Sequence, residues 1–529
     1  MKRIIKILLC MVLCLNMVLP AAVYAREGDC GYEGGISSGE APGKTTYDYQ
    51  EVSFVSGEPV VFKGTLALKK SLKQNTIVST YTYNLKNNDK TATLTRTLVY
   101  NTVQTTKDNG QTIEETSLSG TPLEAIKIGS TTYTMTNYDF TRSAVLDSKP
   151  AINYYAGNLW GKKTYQIGAA ANGDTVTVEE TGSFYGYDQY WGTTEVEDLS
   201  YMIQTDQKKG TVDDKWGGTA NVSLSATTTQ QLKFEKNEPN QISFEGGYIQ
   251  TQNNSSILEY TSKLPEFDKD GVSTDNMLDA NDSLKLETFP VETRLPVPNL
   301  THLRGHWAED DIDQLFSLEV FTGGDATFNP EQYITRGEFT AAMVQAARAV
   351  PPDPSLSKTT VKATPTPKPT PTPNPSASPK PTSAPSTAAS SGTTHFGDVS
   401  TDNAYYSQIQ SAFERGLISG NGDNNFEPDS YLTLADAITI FVRAIGLEGM
   451  APNPGAVTTF RDNDQIPDYA RNAAFVAQKI GLVQGDDKGY LNPGANLTKA
   501  RAAALINRFI NYMRSGITND YREGIVNYQ

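Results

Sequence analysis

A helix-start pattern recurs three times in the C-terminal half and constrains the fold more than any other feature. Thr335 and Glu338 are spaced as a capping box, in which each side chain accepts a hydrogen bond from the other residue's amide. Apolar residues then follow at the spacing of a helix with one buried face: Phe339, Ala342, Met343 and Ala346. Equivalent starts occur at Thr433 and Thr498. Three copies of one device predict a helical repeat.

Each start is preceded by a shorter helical pattern, a glycine turn and a proline. The glycines suit the left-handed backbone that ends a helix, and they stand at Gly323, Gly420 and Gly485. A proline follows two residues after an apolar side chain, as in Phe328-Asn329-Pro330. These patterns predict repeats over residues 301–350, 395–450 and 457–514, followed by a C-terminal tail over 515–529.

The order of these motifs resembles that of S-layer homology repeats, the wall-anchoring modules of bacterial surface proteins. The resemblance covers roughly Leu303 to Met513 without the intervening linker, and none of the N-terminal half. It implies an all-α bundle in which three repeats assemble about a pseudo-threefold axis. It also implies grooves that bind the secondary polysaccharide of the Gram-positive cell wall, often at an acidic, pyruvylated sugar.

The resemblance implies site residues as well. The family's binding arginine corresponds to Arg336, and its groove aromatic corresponds to Trp307 in the first repeat and Tyr469 in the third. A guanidinium offers planar paired donors to a carboxylate, and an aromatic face packs against the apolar face of a sugar. Gly323 and Gly324 would let backbone amides approach the ligand.

The second and third copies depart from the family pattern. Leu434 replaces the arginine in the second, which removes the charge. Lys499 replaces it in the third, which keeps the charge but loses the paired geometry. Arg501 stands where Glu338 stands in the first copy, so the third capping box is incomplete. We therefore expect one strong polysaccharide groove built around Arg336, a weaker one at Lys499 and a structural copy in the middle.

A linker rich in Pro, Thr and Ser separates the first repeat from the other two. It spans residues 351–392 and includes alternating prolines from Thr364 to Pro373. With almost no apolar side chains it cannot bury a core, so we predict a disordered, extended spacer. The sequence is compatible with a first repeat that closes with the others, and with one that stands alone with an incomplete groove.

The N-terminus has the pattern of a secretory signal peptide over residues 1–25. Lys2-Arg3 precedes the apolar run Ile7 to Val18, and small residues lead to a cleavage point after Ala25. The run is too short to span about 30 Å of membrane comfortably, which disfavours an anchor. Cleavage would leave Cys30 as the one cysteine, either free or in an intermolecular disulfide. We predict a flexible segment over 26–46.

Residues 47–298 alternate as half-buried strands do. From Thr91 to Tyr100, threonine occupies most alternate positions and the other face is largely apolar. No amphipathic helix interrupts the region, so it is predicted to be all-β, a sandwich or an elongated sheet of one or two subdomains. The aromatic cluster Phe184 to Gly192 marks either a seam or an exposed loop.

Composition excludes several functions. The net charge of −15 argues against nucleic acid, and no second long apolar run predicts membrane contact after signal removal. None of the three histidines lies in the β region, which removes Ser-His catalysis and histidine-based zinc sites there. We predict no catalytic residue, metal or cofactor, although carboxylate pairs for glycoside hydrolysis stay open.

These observations predict a secreted, non-enzymatic protein of the cell wall surface. The helical half would bind wall polysaccharide, and the β half would be a structural, assembly or adhesion module, with other surface-layer proteins as further partners. One alternative is a wall-anchored glycoside hydrolase. Another is a carbohydrate-binding adhesin that uses exposed Tyr187, Tyr190 and Trp191.

Overall fold

The computed structural model describes residues 33–39, 44–169, 173–236, 246–348, 395–421, 423–452 and 455–523. An N-terminal antiparallel sheet is followed by a C-terminal helical bundle, which confirms the predicted fold class. The predicted signal peptide and the linker over 351–392 lie outside the described residues.

The described strands form one continuous sheet, so the β half is not divided into two sheets. Its strands are β1 (Gly35–Ser37), β2 (Thr46–Ser53), β3 (Val60–Lys73), β4 (Thr76–Lys86), β5 (Ala92–Thr106), β6 (Thr112–Leu118), β7 (Leu123–Ile128), β8 (Thr131–Ser148), β9 (Asn153–Ile167), β10 (Thr175–Gln189), β11 (Gly192–Lys209), β12 (Val212–Glu235), β13 (Gly247–Phe267), β14 (Ser273–Glu287) and β15 (Val291–Arg294). Sequence neighbours pair as a meander, with β7 placed between β5 and β8 beside β6, and β15 paired to β13.

The sheet curls until its two ends meet. Strands of up to 24 residues accumulate a large twist, and the inner face closes on itself. The ring of Phe54 lies 5.8 Å from that of Tyr260 on β13. The hydroxyl of Ser256 donates to the carbonyl of Ser37 on β1 at 2.9 Å. One layer therefore encloses its own core, so of the two predicted architectures the β half is a single elongated sheet, closed on itself, and not a sandwich.

A cluster of charged side chains lies inside this core. Arg96 donates two hydrogen bonds to Glu51 and two to Glu124, at 2.7–2.9 Å. Lys163 donates to Glu33. Buried charges are tolerated only when they are paired and hydrogen-bonded, and this network supplies both conditions.

The prediction of a flexible segment over 26–46 is wrong for residues 33–39. Tyr100 donates to the Glu33 carboxylate at 2.6 Å, and Ile36 on β1 is fully buried. The segment fills the closing seam of the curled sheet, a role that a glycine-rich sequence did not indicate. Residues 26–32 and 40–43 lie outside the described residues.

The helical half contains two helices per repeat and an added C-terminal helix. They are α1 (Glu309–Ser317), α2 (Arg336–Ala346), α3 (Tyr406–Glu414), α4 (Leu434–Ile445), α5 (Arg471–Lys479), α6 (Lys499–Asn511), a π-helical turn (Tyr512–Gly516) and α7 (Ile517–Glu523). Complete capping boxes start α2 and α4, whereas the side chain of Thr498 alone caps α6. No helix in the described ranges is long and apolar enough to span a membrane.

The three repeats close into one bundle. Each first helix packs on the second helix of another repeat: α3 on α2, α5 on α4, and α1 on α6. Just before the second helices, three backbone hydrogen bonds form a ring: Ile334 to Leu497 (2.9 Å), Leu497 to Leu432 (2.9 Å) and Leu432 to Ile334 (3.1 Å). The first repeat therefore closes with the other two, although the linker separates them in sequence.

The β half caps the opposite end of this bundle. Carbonyl groups at a helix C-terminus have no partner within the helix, and here β-half donors reach carbonyls at the ends of α2 and α4 and in the π-helical turn that follows α6. The bonds are Trp191 Nε1 to Ala346 (2.8 Å), Ala151 N to Ala444 (2.9 Å), and Gln189 Nε2 to Met513 in the π-helical turn (2.7 Å). The two halves share one hydrophobic core at this junction.

The aromatic cluster that the sequence marked is the seam of this junction. Tyr187 and Trp191 are buried, and Tyr190 is half-buried, so the exposed platform required by the adhesin alternative is absent at these residues. Tyr521, in the predicted tail, is buried against them and donates to the carbonyl of Gly186 at 2.9 Å. The described part of the tail is therefore structured as α7.

Replacing Trp191 tests the junction. Trp191→Ala removes a side chain with 0% exposure and its hydrogen bond to α2, so we expect the free energy of unfolding to fall by about 3–5 kcal/mol. Chemical denaturation of the full chain measures this loss. Trp307→Ala is the matched control because Trp307 is 63% exposed, and its effect should stay below about 1 kcal/mol. Equal losses in both variants would contradict the capping role.

Glu180 should make the stability of the β half depend on pH. Burial raises its pKa from 4.5 to about 7, although Lys163 opposes the shift. Because the folded pKa lies above the unfolded one, stability falls as pH rises from about 4.5 to 7, by on the order of 3 kcal/mol. Glu180→Gln should therefore stabilise the protein more at pH 8 than at pH 5, as measured by urea unfolding. The exposed Glu259→Gln is the control, and a gain at Glu180 that is independent of pH would refute the assignment.

Candidate functional site

The second helices of the three repeats begin against a neighbouring repeat. Their first two amides donate to the neighbour's proline segment, which satisfies groups that a helix N-terminus leaves free. The pairs are Arg336 to Ser430 and Gly337 to Pro428, Leu434 to Ala495 and Ala435 to Pro493, and Lys499 to Gln332 and Ala500 to Pro330, all at 2.8–3.0 Å. Since these amides are occupied, a ligand at the three grooves must be recognised mainly by side chains.

The Lys499 groove joins parts of all three repeats. Lys499, from the third repeat, contacts Glu338 of the first at 2.8 Å (Nζ to Oε1). Its ammonium lies 5.9 Å from the ring centre of Phe328. Tyr405 of the second repeat and Gly324 complete the walls of a cavity of about 230 Å³. The groove thus combines a cation, an acid, aromatic faces and an opening to solvent.

The Arg336 groove has the same plan, shifted by one repeat. Arg336 donates from Nε to the carbonyl of Phe426 at 3.0 Å and lies over that ring, with Nη1 3.7 Å from Asp436. Tyr469 of the third repeat donates to Asp436 at 2.9 Å. Burial and the Asp436 carboxylate raise the pKa of Tyr469 to about 12, so its hydroxyl stays protonated and remains a donor.

The Leu434 groove lacks the charge pair. Leu434 occupies the position of the cation, and Arg501 occupies the position of the acid. Leu491 replaces the phenylalanine and is buried. Trp307 stands just before α1, which packs on α6, and is exposed. This groove offers an aromatic face, and it has a cation, Arg501, where the other two grooves have an acid. These properties suit a structural copy or a different ligand.

The residues predicted as one set are divided among three grooves. Gly324 belongs to the Lys499 groove, Tyr469 to the Arg336 groove and Trp307 to the Leu434 groove. Gly323 has a φ of 111°, which a side chain rarely adopts, so its role is the turn itself. That Arg336 forms the stronger groove and Lys499 the weaker stays a prediction.

Sequence reasoning missed the acidic member of the two charged grooves. Glu338 accepts from the amide of Thr335 with one oxygen and from Lys499 with the other. Asp436 likewise caps α4 and faces Arg336. The capping box was a visible signal for both residues. Its second role depends on the helix start of another repeat, which only the assembled bundle brings near.

A family model named S-layer homology domain matches residues 299–340 and 395–438. The chain carries S-layer homology domains. Over 207 residues it is 28% identical to an amylopullulanase of Thermoanaerobacterium thermosulfurigenes, covering 39% of this chain and 9% of that protein. It is 31% identical over 124 residues to the surface-layer 125 kDa protein of Lysinibacillus sphaericus, covering 23% and 10%. It is also 31% identical over 121 residues to a cell surface protein of Thermoanaerobacter kivui, covering 23% and 16%.

These matches cover only the S-layer homology part of the chain. The chain spans less than a fifth of the length of each of these three relatives. The domain and the two surface proteins indicate a location at the cell wall surface, as predicted.

Changing Arg501 tests the incomplete third cap. In Arg501→Glu, the new carboxylate can reach the amide of Thr498, as Glu338 reaches that of Thr335. We expect a gain of about 0.5–1 kcal/mol in unfolding free energy from the completed box and the favourable helix dipole. Thermal unfolding measures the gain. Arg508→Glu makes the same charge change in the last turn of α6 and should destabilise; a gain there would show that net charge, not capping, is responsible.

Proposed function

We propose that the helical half anchors the protein non-covalently to the cell wall by binding an acidic secondary polysaccharide. The observation that supports this most is the repeated groove plan, in which a cation, an acid and aromatic faces come from different repeats. A cation beside an aromatic ring suits a sugar that carries a carboxylate. The paired acid can accept from the hydroxyls of the same sugar.

We assign the main site to the Lys499 groove, and a second site to the Arg336 groove. The cavity of about 230 Å³ lies at Lys499, which has room for a sugar ring rather than a drug-sized ligand. Arg336 already donates to the Phe426 carbonyl and lies over its ring, so part of its donor set is occupied within the protein. This order reverses the one expected from residue type alone.

The β half is proposed to be a non-catalytic module displayed away from the wall. Its junction lies at the C-terminal ends of the second helices, and the grooves lie at their N-terminal ends. The carboxylates of Glu33, Glu51, Glu124 and Glu180 are buried, so a polysaccharide cannot reach them. This burial favours a structural role for the β half over a glycoside hydrolase. The similarity to an amylopullulanase does not support hydrolase activity, because that similarity is confined to the S-layer homology part of the chain.

Co-sedimentation of the full chain with purified cell walls tests the anchor. Lys499→Gln should weaken wall binding by about tenfold or more, because it removes a charge-assisted contact, and Arg336→Gln should weaken it less. Arg501→Gln is the matched control, since it removes a cation at the start of the same helix from the Leu434 groove.

Walls stripped of their secondary polymer provide the second control. Binding to intact walls should be lost when the polymer is removed, and should weaken with added salt because the contact is ionic. Equal sedimentation with stripped walls would rule out polysaccharide anchoring. A larger loss for Arg336→Gln than for Lys499→Gln would assign the main site to the other groove.

A further inference from the structure

The outer face of the curled sheet carries a second candidate site, far in sequence from the grooves. A depression of about 590 Å³ crosses β9 to β13. Its floor consists of two adjacent rows of cross-strand neighbours. In one row Asp198 pairs with Ser223 and Ser223 with Glu259; in the other Ser200 pairs with Asn221 and Asn221 with Thr261. We call these six residues the polar trough.

The trough is bounded by taller side chains. Two residues further along the strands, Val196 and Ile257 flank one side, and Met202 and Lys263 flank the other. Five strands at about 4.8 Å spacing give it a length of roughly 19 Å. The small floor residues and the higher borders together make a channel that can hold an extended chain.

The floor presents free donors and acceptors side by side. Ser200 donates to the side-chain oxygen of Asn221 at 2.9 Å, which leaves the amide nitrogen of Asn221 pointing to no partner in the described part of the chain. Ser223 donates to one oxygen of Asp198 at 2.7 Å, and the other oxygen accepts nothing from the described residues. The side chain of Glu259, on the neighbouring strand, makes no hydrogen bond to any residue that the structure describes.

This chemistry selects a class of ligand. A sugar hydroxyl both donates and accepts, so it can bond a carboxylate and an amide N–H at once. The lining includes two carboxylates, Asp198 and Glu259, and the one cation named at its border is Lys263, so the balance of charge disfavours anionic chains. The backbone of the face is already paired within the sheet, so a peptide cannot add to it as a strand. No group of three or more His, Cys, Asp or Glu in the described ranges is placed to hold a metal ion.

From these observations we propose that the polar trough binds a neutral polysaccharide. Trp160 pairs with Thr181 on β10 and thereby extends the second row to β9, where the half-buried residue lies just beyond those that line the depression. Asp198 and Glu259 are both exposed, so neither has the desolvated surroundings of a general acid. The site is therefore a binding site without hydrolysis, and it is independent of the anchoring grooves.

Native affinity electrophoresis of the full chain tests this site. The gels would contain a soluble mixed-linkage β-glucan, a galactomannan or soluble starch, with polygalacturonate as the anionic comparison. At least one neutral polymer should retard the protein, and polygalacturonate should not. Asn221→Ala and Glu259→Ala should each weaken the retardation constant by about tenfold. Asn84→Ala, an exposed asparagine on β4, is the matched control and should behave as the unaltered chain does.

Several results would overturn the proposal. Retardation by none of the three neutral polymers would do so, as would retardation that survives in Asn221→Ala and Glu259→Ala. Loss of retardation in a Lys499→Gln, Arg336→Gln double variant would transfer the binding to the grooves. Release of reducing ends that disappears in Glu259→Ala would make the trough catalytic. Wall anchoring is measured with cell walls and the groove variants, whereas the trough is measured with neutral polymers and with Asn221→Ala and Glu259→Ala, so either proposal can fail while the other succeeds.

Discussion

The helical half depends on a ring of three backbone hydrogen bonds that join Ile334, Leu432 and Leu497 about the pseudo-threefold axis. All three residues are buried, so an unmade bond there would be costly. The ring places the start of each second helix beside the proline segment of a neighbouring repeat. The first two amides of the helix donate hydrogen bonds to the carbonyls of that segment. The grooves exist because of this closure, and the two charged grooves each take a cation from one repeat and an acid from another.

The same closure gives the bundle two unlike ends. At the N-terminal ends of the second helices, side chains of three repeats form the grooves. At the C-terminal ends, Trp191, Gln189 and Ala151 of the β half satisfy the last carbonyls. Helices of 11–13 residues separate these ends by roughly 17–20 Å. Wall contact at one end therefore leaves the curled sheet extended from the other.

The β half forms its core in a different way. A single curled layer must fill its interior with its own inner face, and here tyrosines and an ionic network share that space with aliphatic side chains. Four carboxylates, Glu33, Glu51, Glu124 and Glu180, surround two cations, Arg96 and Lys163. The excess of acid is consistent with the raised pKa of Glu180, because burial without a full complement of cations favours the neutral form. Glu33 comes from the segment over residues 33–39, so this segment supplies an ionic partner for Lys163 as well as packing.

The sequence by itself determined the helical repeats, the all-β character of residues 47–298 and the helix starts at Thr335 and Thr433. These features depend on local periodicity and on hydrogen bonds between residues three apart. Tertiary structure alone decided which side chains share a groove. Arg336 and Lys499 occupy equivalent places within their repeats, yet each faces a different neighbour. It also decided that Glu33 and Trp191 are buried, because the residues that their side chains pair with by hydrogen bonds or charge lie between 63 and 155 residues away along the chain. The local sequence pattern shows whether a residue lies on the buried or the exposed face of its helix or strand. Which side chain it contacts on that face depends on how segments distant in sequence pack together.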